Sequence, residues 1–414
     1  MRAPVVLTAL AVLSGGLGGA LPVVTGSPAY AASTPVACRA VATPDDIGRE
    51  AEESTVRYPD PFAEMGIAEA ATAVRGRRPG AGVTVAVVDS GIDPRGFVVA
   101  PRRITFGGSQ AAGKYFHGTT VAGLIAGRKG GGSPGGIAPG VTLLDMPVYR
   151  APSEEDGDGE VVPSAVVGAL TYLNDHLHDY PLLIVNLSLE LDRGSPELRR
   201  QVERLVKRGA VVVAASGNRP SDDGSPAPYV GDEDARARVY PAAYPGVVAV
   251  GAVVTEGSPG DATAYVVANS RTDVVAPTYG ARSVTLGGRS CVVDEVATSW
   301  STAEVSGALA LLASADPHAT GRELVDRLVR TASGRPDVRG VFTGAGVVQA
   351  YDAVTRPLDK AGVASPGPVA EAHVVPPERD VLHGTRHATI WWGLIGGGAL
   401  LLGLVLRPLL SRRR

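Results

Sequence analysis

The stretch Val83–Asp93, VTVAVVDSGID, limits the fold more than any other. Five of the six residues from Val83 to Val88 are apolar and four are valine. Valine is stiff at χ1 and favours extended backbone. An unbroken apolar run marks a strand buried on both faces, not one alternating between core and solvent. Asp89 ends the run and Ser90-Gly91 turns the chain. A carboxylate at the end of a buried strand is costly unless it is hydrogen-bonded, so its surroundings must hold Asp89. Standing alone, a strand-end D-S-G reads as a turn cap.

The same kind of strand recurs at Val141–Val148, Leu182–Leu187, Val211–Ala215, Val247–Val253 and Val274–Ala276. Helical segments separate them. Ser195-Pro196-Glu197 supplies an N-cap, a proline in the first turn and an acid near the positive helix end, and Gly209 stops that helix after about Arg208. Thr119–Gly127 and Trp300–Ala315 read as further helices, and Pro61–Val74 holds a shorter helical piece. Apolar strands alternating with helices predict an α/β fold, a mostly parallel sheet with helices on both faces. With 414 residues, 44 % of them apolar, the chain is long enough for a large core. A net charge of −3 gives no basic surface, which argues against a nucleic-acid partner.

Both ends carry targeting patterns. Arg2, the apolar Val5–Leu17 and Ala29-Tyr30-Ala31 form a positive region, a hydrophobic region and an A-x-A site. They predict a secretory signal at residues 1–31. Ala388–Leu406 has no charge. At about 1.5 Å per residue it crosses a hydrocarbon core of roughly 30 Å. Trp391-Trp392 sit at interface level, and Arg407 and Arg412–Arg414 follow. The positive-inside rule then places the tail, 407–414, in the cytoplasm and the main domain on the extracytoplasmic face of the cell membrane. Residues 357–387, with five prolines, form a semi-rigid linker. Residues 32–80 form an N-terminal extension and 81–356 the main domain. Cys38 and Cys291 are the two cysteines, both in the exported part. An oxidising compartment permits a disulfide between them, and two unpaired thiols are the alternative.

The chemistry lies in four blocks in order: Asp89-Ser90-Gly91, His117-Gly118-Thr119, Ser216-Gly217-Asn218 and Ala297-Thr298-Ser299. Acyl transfer by a serine needs a base, a group that orients the base and donors for the oxyanion. Asp89 is the candidate orienter, His117 the base, Ser299 the nucleophile at a helix start, and Asn218 the side-chain oxyanion donor. Gly136–Gly140, Val185–Leu189, Tyr240–Pro245, Val248–Ala252 and Val275–Pro277 extend the pattern over roughly Gly76 to Val354. These blocks resemble the subtilisin-like serine proteases, peptidase family S8. The resemblance implies a three-layer fold, with a mostly parallel sheet between helices, to which the chain adds one C-terminal transmembrane helix. It also implies a serine endopeptidase working through an acyl-enzyme; no cofactor is expected and no residue is assigned to a metal. By the same resemblance Ser188, Leu189, Glu190, Ala215, Ser216 and Gly217 belong to the substrate cleft, where the peptide pairs as an added strand.

The chain departs from the family pattern in three places. Ala297 and Ala303 replace the glycine and proline of G-T-S-x-A-x-P. Glu190 stands where glycine usually follows Ser-Leu, and Thr278 where glycine usually follows Ala-Pro. The expectation is that a methyl at Ala297 narrows the oxyanion pocket and that Glu190 alters the wall of the side-chain pocket. The overall layout resembles the mycosins, the membrane-anchored proteases of type VII secretion. It implies a peptide or protein substrate and a partner in the type VII secretion membrane complex. The altered serine motif supports an alternative, a weakly active or inactive protease-fold subunit that stabilises a secretion complex. Two decoys are set aside. Gly131–Gly135 matches G-x-S-x-G but lacks a strand-turn-helix setting. Glu154–Glu160 is acidic but lacks EF-hand spacing, and reads as a solvated loop.

Overall fold

The computed structural model describes residues 36–47, 58–97, 100–106, 113–129, 135–150, 159–219, 233–255, 257–258, 260–334 and 338–358. The expected signal segment, most of the linker, the expected membrane span and most of both decoy loops lie outside these residues. No described helix is long and apolar enough to cross a membrane.

The elements, in order, are β1 (Val36–Ala37), α1 (Pro61–Glu64), α2 (Ile67–Ala73), β2 (Thr84–Asp89), β3 (Arg102–Arg103), α3 (His117–Ala126), β4 (Thr142–Pro147) and α4 (Pro163–Asp175). Then come β5 (Leu183–Leu187), α5 (Pro196–Lys207), β6 (Val211–Ala215), β7 (Val248–Val253), β8 (Val274–Pro277) and β9 (Arg282–Val284). The chain closes with β10 (Ser290–Val292), α6 (Thr298–Ala315), α7 (Gly321–Arg330) and α8 (Ala350–Thr355).

Among the described residues, seven strands form one sheet in the order β3-β4-β2-β5-β6-β7-β8, every pair parallel. Six of its strands are the six apolar runs of the sequence, each within two residues at its ends. The chain moves one way across the sheet from β2 to β4 and the other way from β4 to β5 and β6. Right-handed crossovers therefore put α3 on one face and α4 and α5 on the other. The carboxyl ends of β2 and β5 flank the point where this direction reverses, which is where open α/β sheets place their sites.

Helix α6 is buried along almost its whole length and packs on α3 and across β5, β6, β7 and β8. Its outer side is covered by α2, α7 and α8. The expected helical piece Pro61–Val74 is two helices, broken where Gly66 takes φ +66°. The N-terminal extension is thus part of the core. Met65 O accepts from Ala350 N, and Ser314 Oγ accepts from Gly80 N. A second, three-stranded sheet joins β1 to β10 in parallel and β10 to β9 antiparallel. At that junction Cys38 and Cys291 form a disulfide, with Cα atoms 4.8 Å apart.

Candidate active site

Asp89 is the last residue of β2 and fully buried. Its Oδ1 accepts from Ser90 N at 2.7 Å and lies 2.7 Å from His117 Nδ1. The cost of a buried strand-end carboxylate is met in this way. Its Oδ2 has no hydrogen-bond partner among the described residues. The turn after Asp89 has its own anchor. Asp145, buried on the neighbouring β4, accepts from Ile92 N and from Arg103 Nε at 2.6 Å, and Arg103 also reaches Ile92 O. Burial pushes the Asp145 carboxyl up, while the Arg103 guanidinium opposes that rise. The two-residue β3 therefore has a purpose: it brings Arg103 to the turn.

His117 opens α3, with 13 % of its side chain exposed. Gly118 is required beside it. A Cβ there would stand 2.7 Å from Gly91 O and 3.1 Å from Asp89 Oδ1. Ser90 Oγ accepts from Gly118 N at 2.8 Å and donates to Tyr115 O, which fixes the start of the helix. The imidazole sits in an aromatic collar. Trp300 lies with its ring centroid 4.6 Å away, Tyr149 at 6.2 Å, and Tyr115 stacks at 6.3 Å. Trp300 is itself held by its Nε1, which donates to Glu295 Oε1 at 2.8 Å.

Ser299 is the second residue of α6 and 8 % exposed. The first N–H groups of a helix have no intrahelical acceptor and carry the positive end of its dipole. A buried relay holds the Ser299 backbone. Ser306 Oγ donates to Asn186 Oδ1, Asn186 Nδ2 to Ser188 Oγ, and Ser188 Oγ to Ser299 O at 2.7 Å. Asn218 lies beyond the carboxyl end of β6. Its Oδ1 accepts from Thr298 N at 2.8 Å and Thr298 Oγ1 at 3.0 Å. With the oxygen held, the Nδ2 amide of Asn218 is left to donate elsewhere. The fold thus brings together the four residues Asp89, His117, Asn218 and Ser299, which are far apart in sequence.

The departures from the family pattern have local explanations. Ala297 has φ −147°, an extended conformation any residue adopts, so glycine is not needed there. Thr278 Oγ1 accepts from Ala297 N at 3.4 Å and donates to Glu295 O at 2.9 Å. The threonine in place of glycine therefore braces the same loop in which alanine replaces glycine. Of the expected cleft residues, Ser188 spends its hydroxyl on Ser299 O, and Ala215 is buried in the sheet. Ser216 is positioned by Asn269 Nδ2, which donates to its carbonyl at 2.7 Å. Glu190 reaches across to the β6 side, where Asn218 N donates to its Oε2 at 3.3 Å. The relay and the collar were not anticipated from sequence. Asn186, a lone amide inside an apolar strand, and Tyr115-Phe116 just before His117 were the available signals. No group of three acids, histidines or cysteines is placed to hold a metal among the described residues.

Fold and site together define a class, the subtilisin-type α/β proteins. Residues 80–351 match the Peptidase_S8 subtilase family, and the chain belongs to it. It is 33 % identical over 264 residues to subtilisin E of Bacillus subtilis (strain 168), a match spanning 61 % of each chain. It is 30 % identical over 332 residues to Mycosin-4 of Mycobacterium tuberculosis (strain ATCC 25618 / H37Rv), across 72 % of this chain and 70 % of that one. Among solved structures, MycP1 with its N-terminal propeptide removed superposes with a TM-score of 0.56 at 26 % identity, over 73 % of this chain and 99 % of that chain. MycP3 protease from the type VII (ESX-3) secretion system gives 0.54 at 26 %, over 72 % and 88 %. The chain spans about three fifths of the length of the subtilisins it matches (61 %).

Proposed function

We propose that the protein is a serine endopeptidase. The observation that carries this reading is the 2.7 Å bond between buried Asp89 and His117 Nδ1, with Ser299 at the start of the helix that packs on His117. In this reading Asp89 fixes the imidazole with Nδ1 protonated and Nε2 free as base. Ser299 Oγ attacks the scissile carbonyl and gives its proton to His117 Nε2. The oxyanion rests on Asn218 Nδ2 and the Ser299 N–H. His117 returns the proton to the leaving amine, and water then releases the acyl group by the reverse sequence.

The reading extends to place and partners. The charge-free Ala388–Leu406 with its trailing arginines supports a single membrane anchor with the domain outside the cytoplasm. The likeness to Mycosin-4 and to MycP3, whose own description places it in a type VII secretion system, supports work beside such a system. Turnover of a peptide from a secreted partner tests the activity. Wild type cleaves it and Ser299→Ala does not; equal inertness of both on every peptide tried favours the protease-fold structural subunit instead. Protease added outside envelope-stripped cells tests the topology. It removes the domain and spares the tail, and a protected domain overturns the placement.

A further inference from the structure

Beyond the sheet, the segments after β5 and β6 form two walls beside Ser299. Ser188 binds the Ser299 carbonyl from one wall, and Asn218 binds Thr298 from the other. Glu190 crosses between them. Its Oε2 accepts from Asn218 N, and a Cβ on Gly217 would stand 3.3 Å from that same oxygen. The same Cβ would meet Val267 Cγ2 at 2.7 Å and Val239 Cγ2 at 2.9 Å, so the carboxylate lies in an apolar slot kept open by a glycine at φ +116°. Its other oxygen, Oε1, is neither hydrogen-bonded nor sealed from solvent among the described residues. Among the described residues no salt bridge reaches Glu190, and burial and the Asn218 amide are what act on its carboxyl.

A substrate carbonyl placed at Ser299, with its oxygen on the Asn218 amide, puts the side chain of the residue before the scissile bond beside Asn218 and Gly217. That is where Glu190 waits. We propose that Glu190 selects a cationic side chain, arginine or lysine, at the residue N-terminal to the cleaved bond. The proposal rests on the endopeptidase reading and adds its substrate class. A carboxylate in an apolar slot without a cation is costly, and a guanidinium or ammonium entering the slot supplies the missing partner and donates to the free Oε1. An apolar side chain would seal the same carboxylate further and leave it unpaired. Burial pushes the Glu190 carboxyl up to about 7, opposed by the Asn218 amide. The preference therefore grows as the pH rises through neutrality, because only the ionised form attracts the cation.

The test compares two peptides that differ only in arginine or leucine before the scissile bond. They are cleaved by the full exported chain in detergent at about pH 5.5 and 8.5, in wild type and Glu190→Gln. Any pH dependence of the chemical step is common to both peptides and cancels in the ratio of their kcat/KM values. At high pH wild type favours arginine by about 10- to 100-fold, the worth of one hydrogen-bonded charge. That ratio falls toward parity at low pH, and in Glu190→Gln it is small and independent of pH. A wild type that prefers small side chains at both pH values, with Glu190→Gly opening the slot to leucine, shows the carboxylate to be a plug and overturns the proposal. If neither peptide is cleaved, the endopeptidase reading is judged separately, on the wider set of peptides. Affinity of the two peptides for Ser299→Ala then decides the preference, and equal affinity overturns it.

Discussion

Glu304 lies fully buried in α6, and among the described residues neither of its carboxyl oxygens has a hydrogen-bond partner. Burial, and secondarily the charge of Glu64, raises its pKa well above the ordinary carboxyl range. A carboxyl whose folded pKa exceeds its unfolded value contributes stability that is complete below the unfolded pKa. That stability is lost as pH rises toward the folded one, at up to about 1.4 kcal/mol per pH unit. Unfolding free energy measured by denaturant between about pH 5 and 8 should therefore fall with pH in wild type and fall less steeply in Glu304→Leu. An unchanged slope would show that Glu304 does not carry this pH dependence. Asn218 belongs to the same scale. With its oxygen held by Thr298, Asn218→Ala should lower turnover by about 10²–10³, the loss known for such a donor in a subtilisin, with little change in KM. Ala297→Gly should keep or raise turnover, since the extended backbone at 297 admits either residue.

At the scale of elements, the relay from Ser306 through Asn186 and Ser188 to Ser299 ties β5 to α6. Asn186→Ala leaves two buried hydroxyls short of a partner, each such loss costing about 1–3 kcal/mol. A lower unfolding midpoint together with a lower kcat is the expected result; a change in the midpoint alone would make the relay structural only. Legibility in the sequence follows the same division. The six long strands were readable because parallel strands buried on both faces must be apolar throughout. β1, β3, β9 and β10 were not readable. They are two or three residues long, and distant partners define them. Asp89, His117, Asn218 and Ser299 were readable because each stands in a distinctive local setting. The aromatic collar was hidden because Tyr115, Tyr149 and Trp300 come from three separate segments and meet only around the imidazole. The roles of Thr278 and Glu190 were half visible. Their departure from pattern could be seen in the sequence, but the bonds to Ala297 and Asn218 could not.

At the scale of the whole molecule, the chain before β2 is a clamp. The Cys38–Cys291 disulfide spans 253 residues and fastens β1 to the strand that precedes the Ser299 helix, while α2 packs on α6 and α8. Closing so long a loop stabilises a domain by about 2–5 kcal/mol. Cys38→Ser should lower the unfolding free energy by that amount, measured on the exported protein against wild type. Two free thiols in the native protein would show that the clamp does not form in the cell.

In the proposed mechanism these elements assemble a working nucleophile at Ser299. A fluorophosphonate reacts with a serine only where a base and an oxyanion site already stand in place. The folded wild-type protein should be labelled covalently at Ser299, identified by mapping the modified peptide. Labelling should be slower by orders of magnitude in Asp89→Asn and absent in Ser299→Ala. A folded wild-type protein that leaves Ser299 unlabelled would contradict that mechanism.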